Sequence, residues 1–364
     1  MEVNKEKGET VMYQPSAKTR ALLEDIERRI DPEVEEDFCK QWEDFLFDRF
    51  EGEVFMPRRK RLSTPTVEYP RINVNDAIKD YDLMLQSELA TISYSLGNPS
   101  RTLGCWVGSY GTGLLSSVLG AKIFVPPYEC NTPPTTRTVG DSEIRAMIER
   151  GIPSLDNGFG RPTFECGSFF AEAFSKYPKI SKYVNVYHPD LQGPLDIAEL
   201  LWGSEMFYAM YDEPELVHSL LSLITDTFSA LMRRWQTVFP SAPNINHYKF
   251  YHYRGTLILR CDSAMNLSPE LYREFAVPYD TLLYERFGGG AMHFCGRGDH
   301  YIAELAKTPG LTGVNLAQPQ YNDMETIYQN TVDKGIKILI LDKQQALGDK
   351  NREGGFHNCL STWA

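Results

Sequence analysis

From about residue 100 onward, short apolar runs alternate with amphipathic stretches of helical period. This alternation constrains the fold more than any other feature. A strand that leads into a helix and then into another strand builds a parallel sheet covered by helices. Strands are predicted over 103–107, 122–125, 183–187, 256–260, 312–316, 337–341 and 355–360, and one more runs through Met292, His293 and Cys295. Helices are predicted over 141–150 and after Asp212. There Asp212 can cap, Pro214 suits the first turn, and Glu215 completes a capping box ahead of Val217, Leu220, Leu221, Ile224, Phe228, Leu231 and Trp235. Ser268-Pro269-Glu270 starts another helix by the same logic, and Pro278 should end or kink it. Such units, repeated over most of the chain, fit a closed barrel or a doubly wound open sheet.

Residues 1–70 read differently, as a helical extension ahead of an α/β body at 71–364. Leu22, Leu23, Ile26 and Ile30 mark one amphipathic helix; Phe38, Trp42, Phe45, Leu46 and Phe50 mark a second. Arg58-Arg59-Lys60-Arg61 reads as a solvated basic run rather than a nucleic-acid patch.

Several function classes are disfavoured. The net charge is −12, against the basic excess that duplex binding needs, so no nucleic-acid partner is expected. No apolar run is long enough to cross a bilayer, and the polar start Met1-Glu2-Val3-Asn4-Lys5-Glu6 has no signal-peptide core behind it. The expectation is a soluble, cytoplasmic protein without a membrane partner. The seven cysteines are odd in number and form no Cys-x-x-Cys pairs, which fits a reducing compartment better than a disulfide framework. Gly104 to Gly113 match neither a phosphate loop nor a dinucleotide fingerprint.

In βα folds the chemistry gathers where strands end. The polar residues placed there are Tyr110; His188 with Asp190 and Gln192; Asp262; His293 with Cys295; Asn315 with Gln318; Asp342; and His357 with Cys359. On a strand, residues i and i+2 share a face, so His293 and Cys295 point the same way. Zinc favours nitrogen and sulfur ligands, and a catalytic site needs three protein ligands and an open position. Cys359 could be the third. The bland alternative is a satisfied histidine beside a buried thiol. Asp262 can take up a proton or hydrogen-bond loop amides. His357 shares the face of Cys359 and could be a ligand or an acid–base group. His247 and His252, among Tyr248, Tyr251 and Tyr253, read as core first and as pocket lining second.

Several segments resemble the uroporphyrinogen decarboxylase superfamily: Gln192-Gly193-Pro194-Leu195; Asp212-Glu213-Pro214-Glu215-Leu216-Val217-His218; Cys261-Asp262; Leu267-Ser268-Pro269-Glu270-Leu271-Tyr272 with Phe275 and Pro278-Tyr279; and His293-Phe294-Cys295-Gly296. The resemblance extends back to Tyr69–Ala77 and Tyr110-Gly111-Thr112-Gly113, and covers about residues 65–360. It implies a (β/α)₈ TIM barrel behind the N-terminal helical extension.

Two activities compete within that superfamily. Corrinoid:coenzyme M methyltransferases hold zinc through His-x-Cys and a later Cys, which implies His293, Cys295 and Cys359 as ligands. Zinc would activate a thiol acceptor, and a methylcorrinoid, usually held by a partner protein, would give the methyl group. Asp262, His357 and Tyr110 are then the acid–base or catalytic candidates, and His188, Asp190, Gln192, Asn315 and Gln318 the substrate-binding ones. The alternatives are a carboxy-lyase of tetrapyrrole metabolism and a non-catalytic corrinoid- or tetrapyrrole-binding protein. The arginine-rich N-terminal motif of true decarboxylases is absent, which disfavours decarboxylation. The last strand lacks its usual following helix, so cover is expected from the N-terminal helices or a partner chain; a homodimer is one possibility.

Overall fold

The computed structural model describes residues 14–108 and 110–364, so the expectation for Met1–Glu6 lies outside the described residues. Two helices open the described chain, α1 (Ala17–Arg29) and α2 (Pro32–Leu46). Ser16 caps α1 by accepting from Thr19 N, and Asp31 caps α2 ahead of Pro32. The strands follow as β1 (Val54–Phe55), β2 (Gly104–Cys105), β3 (Ile123–Phe124), β4 (Thr135–Thr136), β5 (Asn185–Val186), β6 (Ile245–Tyr248), β7 (Tyr251–Arg254), β8 (Leu257–Arg260), β9 (Gly290–Phe294), β10 (Leu311–Leu316), β11 (Lys337–Ile338) and β12 (Leu360–Ser361).

Six strands form one parallel sheet in the order β1-β12-β11-β10-β9-β8. β2 and β5 form a separate parallel pair, while β3–β4 and β6–β7 are antiparallel hairpins. The fold is thus mixed α/β around parallel strands. No strand ladder joins β1 to β2 or β5 to β8 among the described residues, so a continuous eight-stranded ladder is not formed. Single hydrogen bonds cross both gaps. Gly193 N donates to Arg260 O (2.8 Å) and Ile258 N to His188 Nε2 (3.4 Å) on one side. On the other, Arg59 N donates to Pro99 O (2.6 Å) and Ala364 N to Ser100 Oγ (2.9 Å).

Three expectations change. The described part of the predicted helical extension also carries a strand, β1, which pairs with β12 and so belongs to the sheet. That pairing places β1 along the edge of β12. The strand at 122–125 is β3, which leaves the sheet to pair with β4. Asp212 ends the helix Glu205–Asp212 instead of capping the next one, Pro214–Val238, whose cap position is Glu213 without a side-chain bond. In the basic run, Arg58, Lys60 and Arg61 are exposed, but Arg59 is buried and holds Glu35 through two bonds of 2.7 and 2.9 Å, tying the loop to α2.

The strands alternate between two cores. Leu259, Met292, Val314, Ile338 and Leu360 lie in register and pack under the helices. On the opposite face, Ile258, Ala291, Leu339 and Phe55 meet the hairpin tyrosines Tyr248, Tyr251 and Tyr253 and the α2 side chains Phe38, Trp42 and Phe45. The stretch around His247 is therefore chiefly core. Its tip packs so closely on β2 that a Cβ at Gly104 would run into Lys249 O and the His247 ring.

One core carboxyl gives a pH-dependent prediction. Glu88, on the helix Tyr81–Leu96, is buried and accepts from Trp106 N (2.7 Å). Burial pushes it up to about 7 from an ordinary 4.5. Between those values the folded state holds a proton that the unfolded chain has lost, so stability falls as pH rises through this window. The cost above it is on the order of 3 kcal/mol. Urea denaturation of Glu88→Gln is expected to show a smaller loss of stability between pH 5 and pH 8 than the wild type, by about that amount.

Candidate metal centre

β8 and β9 run side by side with Arg260 opposite His293. Two residues beyond each, just past the strand ends, stand Asp262 and Cys295. Asp262, His293 and Cys295 converge, their ligand atoms all within 4.8 Å of one another. Cys295 Sγ lies 3.6 Å from His293 Nε2, and Asp262 Oδ1 lies 4.0 Å from the same nitrogen. Cys295 N donates to Asp262 Oδ1 (2.7 Å), locking the two strand ends together. The chain turns away at once through Gly296, whose φ of +74° favours glycine.

The histidine is oriented from behind. Asn315 Nδ2 donates to Leu339 O (2.6 Å), which fixes the amide so that its oxygen faces His293 Nδ1 at 2.6 Å. Nδ1 must then carry the hydrogen, and Nε2 presents its lone pair to the cluster. Burial lowers the basicity of His293, keeping the ring neutral. Burial, reinforced by the charge of Asp262, pushes the Cys295 thiol up to about 11. Gln318 Oε1 accepts from Gly296 N (2.6 Å), steadying the loop after Cys295.

Asp262 is itself held by a buried acid. Asp196, in the first turn of the helix Pro194–Trp202, accepts from Asp262 N (3.0 Å) and Ser263 N (2.9 Å). Burial, then the charge of Asp262, pushes Asp196 up to about 7. Beside His293, the buried Arg260 pairs with Asp190. With its oxygen toward the guanidinium, the Gln192 amide accepts from Arg260 Nε (2.9 Å) and donates to Asp196 (3.2 Å). Asp190, Gln192, Asn315 and Gln318 thus gather round the cluster as supports.

The other candidates stand elsewhere. Cys359 precedes β12 and is level with Lys337, Gly313 and Ala291, by continuation of the strand registers. Ala291 is four residues before Cys295, so Cys359 lies about 13 Å lower along the strand direction, and three strands across. Its thiol sits beside Lys337, and the cluster forms without it. The physical reason is the start of the last strand: it begins at Leu360, which puts Cys359 at its N-terminal end. His357 falls at that end too, exposed in a left-handed turn. Tyr110 is a core residue stacked on Phe159 (4.8 Å). His188 gives Nδ1 to Pro189 O (2.8 Å) and Nε2 to Ile258 N, so backbone takes both nitrogens. Asp342 caps the short helix Lys343–Gly348.

Imidazole, thiol and carboxylate form a donor set that suits zinc. Bonds of about 2.0–2.3 Å to a tetrahedral ion separate its ligands by roughly 3.3–3.8 Å, close to the 3.6 and 4.0 Å seen here. Three ligands would leave one position open. With the thiol ionised, the two negative charges balance a divalent cation. Asn315→Leu is expected to weaken metal binding about 10–100-fold by freeing the ring; competition against a chelating dye measures it.

No protein-family model matches the chain, and a search of curated proteins finds no match. Among solved structures, a methyltransferase from Methanosarcina mazei superposes with a TM-score of 0.59, over 88% of this chain and 91% of that one, at 12% identity. At that identity the likeness is one of fold.

Proposed function

We propose that the chain is a metal-dependent methyltransferase on a (β/α)₈ barrel, with zinc held by Asp262, His293 and Cys295. The observation that carries the reading is the Asn315–His293 arrangement, which aims a neutral imidazole nitrogen at a thiol and a carboxylate. The barrel reading rests on strand order: β1, β2, β5 and β8 through β12 follow the chain, β1 lies beside β12, and hydrogen bonds span both gaps. The fold likeness to a methyltransferase and the motif resemblance around His293-Phe294-Cys295-Gly296 point the same way.

Zinc in this site would favour the thiolate form of a bound thiol. His293 presents its lone pair, Asn315 prevents the ring from turning, and Cys295 and Asp262 supply the compensating charge. Arg260, fixed by Asp190, keeps a positive charge beside the cluster. The reaction moves a methyl group from a methylcorrinoid, carried by a partner protein, to the acceptor sulfur.

The test is loss of methylcobalamin absorbance in the presence of 2-mercaptoethanol. Zinc-loaded protein is expected to accelerate it, chelation to abolish the acceleration, and zinc to restore it. Acceleration that survives complete metal removal contradicts the proposal, as does no acceleration by fully loaded protein.

A further inference from the structure

We propose that Asn322, which stands in the loop after β10, is the positioning residue that fixes Cys295 for the metal ion. This rests on the reading above and names what holds its thiol ligand in place. The side-chain bonds of Asn322 all go to backbone groups, so it acts through the chain that follows Cys295.

The need for such a residue follows from where β9 ends. His293 lies inside the strand, paired with Arg260 on one side and Asn315 on the other. The last pair of that ladder is Phe294 with Leu316, so Cys295 stands beyond it. The chain then runs through Gly296, Arg297 and Gly298, and glycines lose the most conformational freedom on being ordered. A zinc–sulfur bond of about 2.3 Å tolerates little wandering of the thiol. Side chains from elsewhere must therefore hold this segment.

Asn322 does so with its whole amide. Oδ1 accepts from Gly298 N (2.7 Å) and Asp299 N (3.0 Å), while Nδ2 donates to Gly296 O (3.0 Å) and Gln318 O (2.9 Å). Two acceptor sites and two donors are all that such an amide has, and their partners also fix which way it faces. Gln318 Oε1 takes Gly296 N, so both backbone groups of the residue next to Cys295 are tied to the loop after β10. Asp323 N donates to Asp299 Oδ2 (2.9 Å) and adds a second tie between the two loops. β10 and its loop thus serve both ligands of the neighbouring strand: Asn315 orients the imidazole, and Asn322 holds the segment that carries the thiol.

Two variants of the full chain and two readouts test this. Asn322→Ala removes all four bonds. Asn322→Asp keeps an acceptor for Gly298 and Asp299 but cannot donate to Gly296 O, and it remains informative where the alanine variant fails to fold. Both are expected to bind zinc about ten-fold more weakly in chelator competition. In metal-free protein, both are expected to let iodoacetamide alkylate Cys295 faster, because a loosened loop exposes the thiol, as read by mass spectrometry of the peptides. Cys261, buried at the end of the adjacent strand, is expected to react as slowly as in the wild type. Cys295 alkylation unchanged in both variants overturns the proposal, as does zinc affinity unchanged in both. Equal acceleration at Cys261 also overturns it, since that marks general loosening of the fold. A wild type that binds no zinc would instead remove the reading above, and the alkylation rates would still decide whether Asn322 holds Cys295.

Discussion

Cys295→Ser is expected to bind zinc at least about a hundred-fold more weakly than the wild type while keeping its fold. Apparent binding energies of four-ligand zinc sites run at roughly 10–16 kcal/mol, so losing a thiolate costs about 3 kcal/mol or more. The variant should also change the pH dependence. In the metal-free protein the thiol, at about 11, is protonated at neutral pH, and the buried imidazole is neutral. Metal capture by the wild type must therefore expel the thiol proton, so affinity should rise about ten-fold per pH unit around neutrality. The serine variant should lack this slope. Chelator competition at two pH values reads both effects. Equal affinity and equal slope in the two proteins would remove Cys295 from the site.

Arg260→Met is expected to destabilise the fold by about 3–5 kcal/mol, because it leaves Asp190 buried without its cation. Asp190 is only 4% exposed, so water cannot take the place of the guanidinium. Removing both partners should cost less than removing Arg260 alone, because Arg260→Met/Asp190→Leu leaves no orphaned charge. Urea midpoints of the two single variants and the double variant give the coupling. A double variant as unstable as the sum of the singles would show that the pair is not the source of the loss.

Much of this arrangement can be read from local pattern. The i, i+2 spacing of His293 and Cys295 needs only extended chain, and β9 ends at Phe294, one residue short of Cys295, while the two side chains still converge. The βα alternation likewise marks β8 through β11, because runs of apolar residues between turn signals report burial directly. What fails is anything set by register between distant strands. Cys359 reads as a strand end only if the last strand starts near Gly355, but Phe356 through Cys359 form a turn with His357 and Asn358 left-handed. No periodicity in so short a segment distinguishes the two placements. Asp262 has the reverse history. It reads as a supporting group, and becomes the third member of the cluster because Arg260 pairs opposite His293. β1 is only Val54–Phe55, set in a charged segment, and two residues show no strand pattern.

At the proposed centre one thiolate, from Cys295 and not from Cys359, meets an imidazole and a carboxylate at a single ion. Cobalt(II) reports this directly, because a thiolate bound to it gives a charge-transfer absorption band. One equivalent added to metal-free protein is expected to produce that band in the wild type and in Cys359→Ser, and to leave Cys295→Ser without it. A band that persists in Cys295→Ser, or that disappears in a folded Cys359→Ser, would contradict the account.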